Sequence, residues 1–142
     1  MGYLYFSVEY AIITHDTILQ VSGGIFGIKD AGNLESPLEH IKNDDYYPEL
    51  EDKITHLVFS VNKNHAFTDG NKRSSIALGA FFLELNGLER LVSKFIIEME
   101  NIAVLVADNI IDKDLLKEII TSLIYEDDYP ESLKLKIFSA LS

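Results

Sequence analysis

Apolar residues recur along this chain at spacings of three and four, the period of helices packed on one face. Ser7 is placed to cap a helix running to about Val21, with Val8, Ala11, Ile12, Ile18 and Leu19 on its apolar stripe. Gly23-Gly24 stops it. Ile25 to Leu34, with Gly27 and Gly32 around a Lys-Asp-Ala centre, reads as a short hairpin or an irregular loop. Pro37 opens a helical turn to about Ile41, and the polar run Asn43 to Tyr47 is exposed. Pro48 suits the first position of a second long helix, since Glu49, Glu51 and Asp52 complement its positive end and Ile54, Leu57, Val58 and Val61 form its stripe. A polar stretch over 65–75 comes next, then a helix from Ile76 to Leu85 that Asn86-Gly87 terminates. Ser93 caps a further helix carrying Phe95, Ile96, Met99, Ile102, Ala103 and Val106. Asp112 or Asp114 starts another through Leu115, Leu116, Ile119, Ile120 and Leu123. Pro130 opens a last short one over Leu133, Ile137 and Phe138. Strand alternation is nearly absent, so the expectation is an all-α domain with one small hairpin.

Composition narrows the possibilities. The 142 residues predict a single domain over 1–142, and a 47% hydrophobic content suffices for one core. The longest apolar segment near the start is broken by His15, Asp16 and Gln20 and lacks a basic lead, so neither a membrane span nor a signal peptide is expected. With no cysteine there is no disulfide and no thiolate metal site, which suits a cytoplasmic protein. The formal net charge of −11 argues against direct nucleic-acid binding, which needs cations to neutralise phosphates.

Against that acidic background the stretch His65-Ala-Phe-Thr-Asp-Gly-Asn-Lys-Arg-Ser-Ser75 stands out. Histidine takes and gives protons near neutral pH, so His65 is a candidate base for an attacking hydroxyl. Asp69 is a hard oxygen ligand suited to Mg²⁺ held together with nucleotide phosphates. Gly70 permits close approach of the backbone to an anion. Lys72 and Arg73 neutralise phosphate charge beside a helix start whose amides are free to bind it. These are the parts of a phosphoryl- or nucleotidyl-transfer site that works by positioning and charge stabilisation. Phe67 reads as the apolar anchor of the loop.

At these positions the chain resembles the Fic/Doc superfamily, whose pattern is His-x-Phe-x-Asp/Glu-Gly/Ala-Asn followed by glycine or lysine and then arginine. His65, Phe67, Asp69, Gly70, Asn71, Lys72 and Arg73 match it. Lysine at 72, where AMP-transferring members carry glycine, points to the Doc (death on curing) branch. Ile76 stands where the longer pattern has a second arginine, and this also fits Doc. Gly27 to Ser36 is similar to the segment those proteins place over the active site as a flap. The resemblance implies a Fic-fold helical bundle with a small β-hairpin flap. It further implies a toxin of a toxin–antitoxin pair that moves a phosphate from ATP to a hydroxyl of a host protein, such as elongation factor Tu. In that scheme His65 is catalytic and Asp69 holds Mg²⁺. Gly70, Asn71, Lys72 and Arg73 bind phosphate. Gly27, Lys29, Asp30 and Gly32 dock the target, and a separate antitoxin restrains the protein. AMP transfer by the same residues, a non-catalytic nucleotide- or partner-binding module and a structural subunit are the alternatives. Ser122 to Asp127 departs from the internal inhibitory pattern of some relatives at its last position. His15, His40 and His56 read as structural or surface residues, and Tyr46 and Tyr47 as a packed loop.

Overall fold

A computed structural model describes residues 2–142. Seven helices follow in order: α1 Val8–Ser22, α2 Gly32–His40, α3 Leu50–Lys63, α4 Asn71–Leu85, α5 Val92–Ala107, α6 Lys113–Tyr125 and α7 Glu131–Leu141, with a 3-10 turn at Glu89–Leu91 before α5. No described helix is long and apolar enough to cross a membrane.

The start signals that act locally set their helices as expected. The Ser7 hydroxyl accepts from the Tyr10 amide, and the Asp112 carboxylate accepts from the Leu115 amide. Other boundaries differ. α3 begins at Leu50, two residues beyond Pro48, because Glu49 and Asp52 form a reciprocal capping box. Ser93 lies inside α5, which the 3-10 turn feeds directly. α2 begins at Gly32 and runs through Pro37: Asp30 accepts from the Asn33 amide, so the helix is already under way when the proline arrives.

α3 lies at the centre of the bundle, against α2, α4, α5 and α6. Its stripe of Ile54, Leu57, Val58 and Val61 is buried, and so are Lys53, Thr55, His56, Ser60 and Asn62. A helix enclosed on several sides must satisfy its polar side chains internally. Lys53 donates to the Ile41 carbonyl at 2.6 Å and to Asp44 at 2.7 Å. Because α3 and α4 pack on each other, the end of one and the start of the next are held close, with only residues 64–70 between them.

The expected β-hairpin is not present. Among the described residues the sole β pairing is an isolated antiparallel bridge between Ile28 and Phe67. The 27–30 segment pairs with the 66–68 loop instead of folding back on itself: Thr68 N donates to Gly27 O at 3.0 Å, and Lys29 N and Asp30 N donate to Ala66 O at 2.8 and 3.0 Å. The start of α2 at Gly32 leaves no residues for a second hairpin arm.

Candidate active site

α3 ends at Lys63, and the chain turns through His65 with φ of 51°, a left-handed conformation uncommon outside glycine. That turn leaves the His65 side chain exposed while the next two residues go inward. Phe67 is 1% exposed and lies flat on the imidazole of His15 from α1, with ring centroids 3.7 Å apart. Asn71 closes the loop from the other side. Its Oδ1 accepts from Phe67 N at 3.1 Å, and its Nδ2 donates to Phe67 O at 2.9 Å. Phe67 therefore anchors the loop through both its ring and its backbone.

Gly70 carries φ of 79° and turns the chain into α4, which begins at Asn71, five residues before the expected Ile76. Lys72 and Arg73 consequently sit in the first helical turn and not in a loop. Ser74 and Ser75 are buried helix residues. The first turn of α4 contains no acidic residue. Two cations at the positive end of a helix oppose its dipole, at roughly 0.3–1 kcal/mol each, and an anion bound there would relieve both.

Asp69 is engaged by its surroundings. Its Oδ2 accepts from Ile25 N at 3.0 Å, its Oδ1 accepts from Gly70 N at 2.8 Å, and Arg73 Nη2 stands 3.9 Å from Oδ1. The amide of Ile25, then that of Gly70, hold its carboxyl below the usual carboxylate range, with Arg73 adding to the effect. Arg73 also donates to the Ser22 hydroxyl and, at 3.0 Å, to Gly23 O, so its guanidinium ties the end of α1 to the site. Gly24 belongs here as well. With φ of 137°, it lies where a Cβ would come within 2.8 Å of Asp69 Oδ2 and 3.2 Å of Arg73 Nη2.

His65, Asp69, Gly70, Asn71, Lys72 and Arg73 line one cleft of about 370 Å³, together with Thr68, Asn62 from α3 and Ala107 from α5. Gly27 and Lys29 lie in the segment paired beside it, while Asp30 and Gly32 serve the start of α2. The Asn71 side chain is spent on the loop, which leaves its backbone amide for an anion. No cluster of three or more His, Asp, Glu or Cys able to hold a metal exists among the described residues. Asp69 alone fits a cation that takes its other ligands from phosphates and water, as Mg²⁺ does.

The sequence pattern gives no role to Asn62 or Gly24; it places His15 among structural or surface residues, and the structure buries it against the loop. A signal existed for His15, since Ala11, His15 and Leu19 form the buried stripe of α1 and a histidine inside such a stripe needs a partner.

The fold and the cleft define a helical domain in which a histidine-bearing loop runs into an anion-attracting helix start. Residues 5–83 match the Fic/DOC family, and the chain belongs to it. Relatives carry the names of its Doc branch. A protein named Toxin Doc from Mycolicibacterium smegmatis is 38% identical over 71 residues, 47% of this chain and 55% of that protein. One named Protein kinase doc from Escherichia phage P1 is 31% identical over 87 residues, 58% of this chain and 68% of that protein. The chain thus aligns with little more than half of the mycobacterial relative.

Proposed function

We propose that this protein is a Doc-like toxin that transfers the γ-phosphate of ATP to a hydroxyl of a host protein. One observation carries the reading: an exposed histidine, a carboxylate and the cation-bearing N-terminus of α4 line a single cleft. His65 takes the proton of the attacking hydroxyl. The hydroxyl oxygen bonds to the γ-phosphorus as the bond from that phosphorus to the β–γ bridging oxygen breaks, and ADP leaves. The first-turn amides of α4 with Lys72 and Arg73 hold phosphate charge in place. Asp69 holds Mg²⁺, which supplies charge neutralisation on the phosphates when bound.

The 27–30 segment fits a docking role by strand addition. In the Ile28–Phe67 bridge the hydrogen bonds flank the pair, so the N–H and C=O of both residues point outward. Those of Phe67 are taken by Asn71. Those of Ile28 form an edge on which an extended target segment can pair. A translation factor of the elongation-factor-Tu type is the target we favour, and a separate antitoxin the restraint. Names of the relatives support a toxin of this kind.

The test is to incubate the protein with ATP, Mg²⁺ and candidate target and weigh the modified peptide. Addition of phosphate alone supports the reading. Addition of a whole AMP replaces it with nucleotidyl transfer, and no modification of any host protein overturns catalysis.

A further inference from the structure

The ends of α3 and α5 also contribute to the lining of the cleft, through Asn62 and Ala107, and of these two Asn62 is the polar one. Asn62 is 2% exposed. Its Nδ2 donates to the Ala103 carbonyl at 2.9 Å. That bond fixes which way the amide points, because the reversed orientation would set oxygen against oxygen. Asn62 Oδ1 is consequently an acceptor, and it has no hydrogen-bond partner among the described residues. Native proteins seldom leave a buried acceptor unpaired, and each exception needs a reason. Asn62 also lines the cleft, together with Ala107 and His65.

We propose that Asn62 Oδ1 is a specificity-determining subsite that accepts a hydrogen bond from an N–H or O–H donor of the bound nucleotide. The inference rests on the reading above that the cleft takes ATP. Cations and helix amides that line the cleft demand an anion, whereas a fixed acceptor without a partner on the same lining demands a donor. A nucleoside triphosphate carries both, the donor being either the exocyclic amine of the base or a sugar hydroxyl. A site built to pair a donor discriminates against an analogue lacking it, since the acceptor is then left buried and unpaired.

The experiment is calorimetric titration of wild type, Asn62→Ala and the volume-keeping Asn62→Leu with Mg²⁺ and four nucleotides. These are ATP, purine riboside triphosphate, which lacks the base amine, and 2′-deoxy- and 3′-deoxy-ATP. Wild type should bind one donor-deleted analogue roughly three- to tenfold more weakly than ATP. Both variants should weaken ATP by the same factor and lose the discrimination. Which analogue is affected identifies the donor as amine or hydroxyl. Should one variant fail to fold, the other carries the comparison. If wild type binds ATP and the variants bind it equally well, the subsite is wrong while the transferase reading stands. If wild type binds no nucleotide, both fall.

Discussion

His15 and Phe67 lie face to face, ring planes 5° apart, while the same imidazole donates through Nε2 to the Asp69 carbonyl at 2.6 Å. One buried side chain of α1 thereby sets both the apolar anchor of the loop and the backbone of its acid. Its other nitrogen meets the Asp16 carboxylate at 3.1 Å. His15→Phe keeps the stacking and removes the bond to Asp69. We expect a loss of about 1–2 kcal/mol in chemical denaturation and a larger proportional loss of transfer activity, because Asp69 is no longer aimed. Equal activity in His15→Phe and wild type would contradict a positioning role.

Asn71 holds Phe67 at both its N–H and its C=O. Asn71→Ala orphans two buried backbone groups, each worth ~1–3 kcal/mol when left unpaired. Denaturation should show a loss of at least 2 kcal/mol, with amide exchange of Phe67 accelerated. A variant as stable as wild type would mean that the loop is held mainly by the aromatic stack.

Gly24→Ala addresses the flap side of the site. A methyl group there displaces the Asp69 carboxylate, and the positive φ strains any residue with a Cβ. The expected result is a weaker Mg²⁺ dependence of nucleotide binding, as in Asp69→Asn, with a stability loss of about 1 kcal/mol. Unchanged Mg²⁺ dependence in both variants would remove Asp69 from the cation's ligands.

A separate cluster is expected to contribute to acid sensitivity. Lys113 donates to His56 Nδ1 at 2.7 Å, so the ring proton sits on Nε2 and points at His40 Nδ1, 3.1 Å away. Burial, then the charge of Lys113, then His40, lower the His56 pKa from 6.5 to about 4. The unfolded ring therefore binds a proton at higher pH than the folded one, and stability falls as pH drops from about 6.5 to about 4, by about 3 kcal/mol in all. His56→Phe should flatten that part of the curve. An unchanged slope in thermal melts between pH 7 and pH 4.5 would assign the acid sensitivity elsewhere.

Sequence periodicity revealed the helices because their stripes and caps are local: Ser7 meets Tyr10, and Asp112 meets Leu115. It failed where long-range contacts decide. The 27–30 segment is paired with a loop far along the chain, and α4 starts early because Asn71 reaches back to Phe67. The residues of the candidate site were legible as a motif, since their chemistry is crowded into 65–73. Their support was not. His15 lies 54 residues from Asp69, and Asn62 reads as one more polar residue on a helix until α5 encloses it.

Lys72 tests the direction of the nucleotide. On the proposed reading, a lysine side chain at 72 would occupy part of an anion nest at the start of α4 and favour binding with the γ-phosphate toward His65, whereas glycine would leave room for the terminal phosphates. Lys72→Gly should lose phosphate transfer.

The most direct measurement supplies the protein and its target with ATP labelled at the α- or the γ-phosphate. Target labelling is expected from the γ-position only, reduced ~10²–10⁴-fold in His65→Ala without loss of fold. Label arriving from the α-position, or undiminished transfer by His65→Ala, would contradict the proposed mechanism.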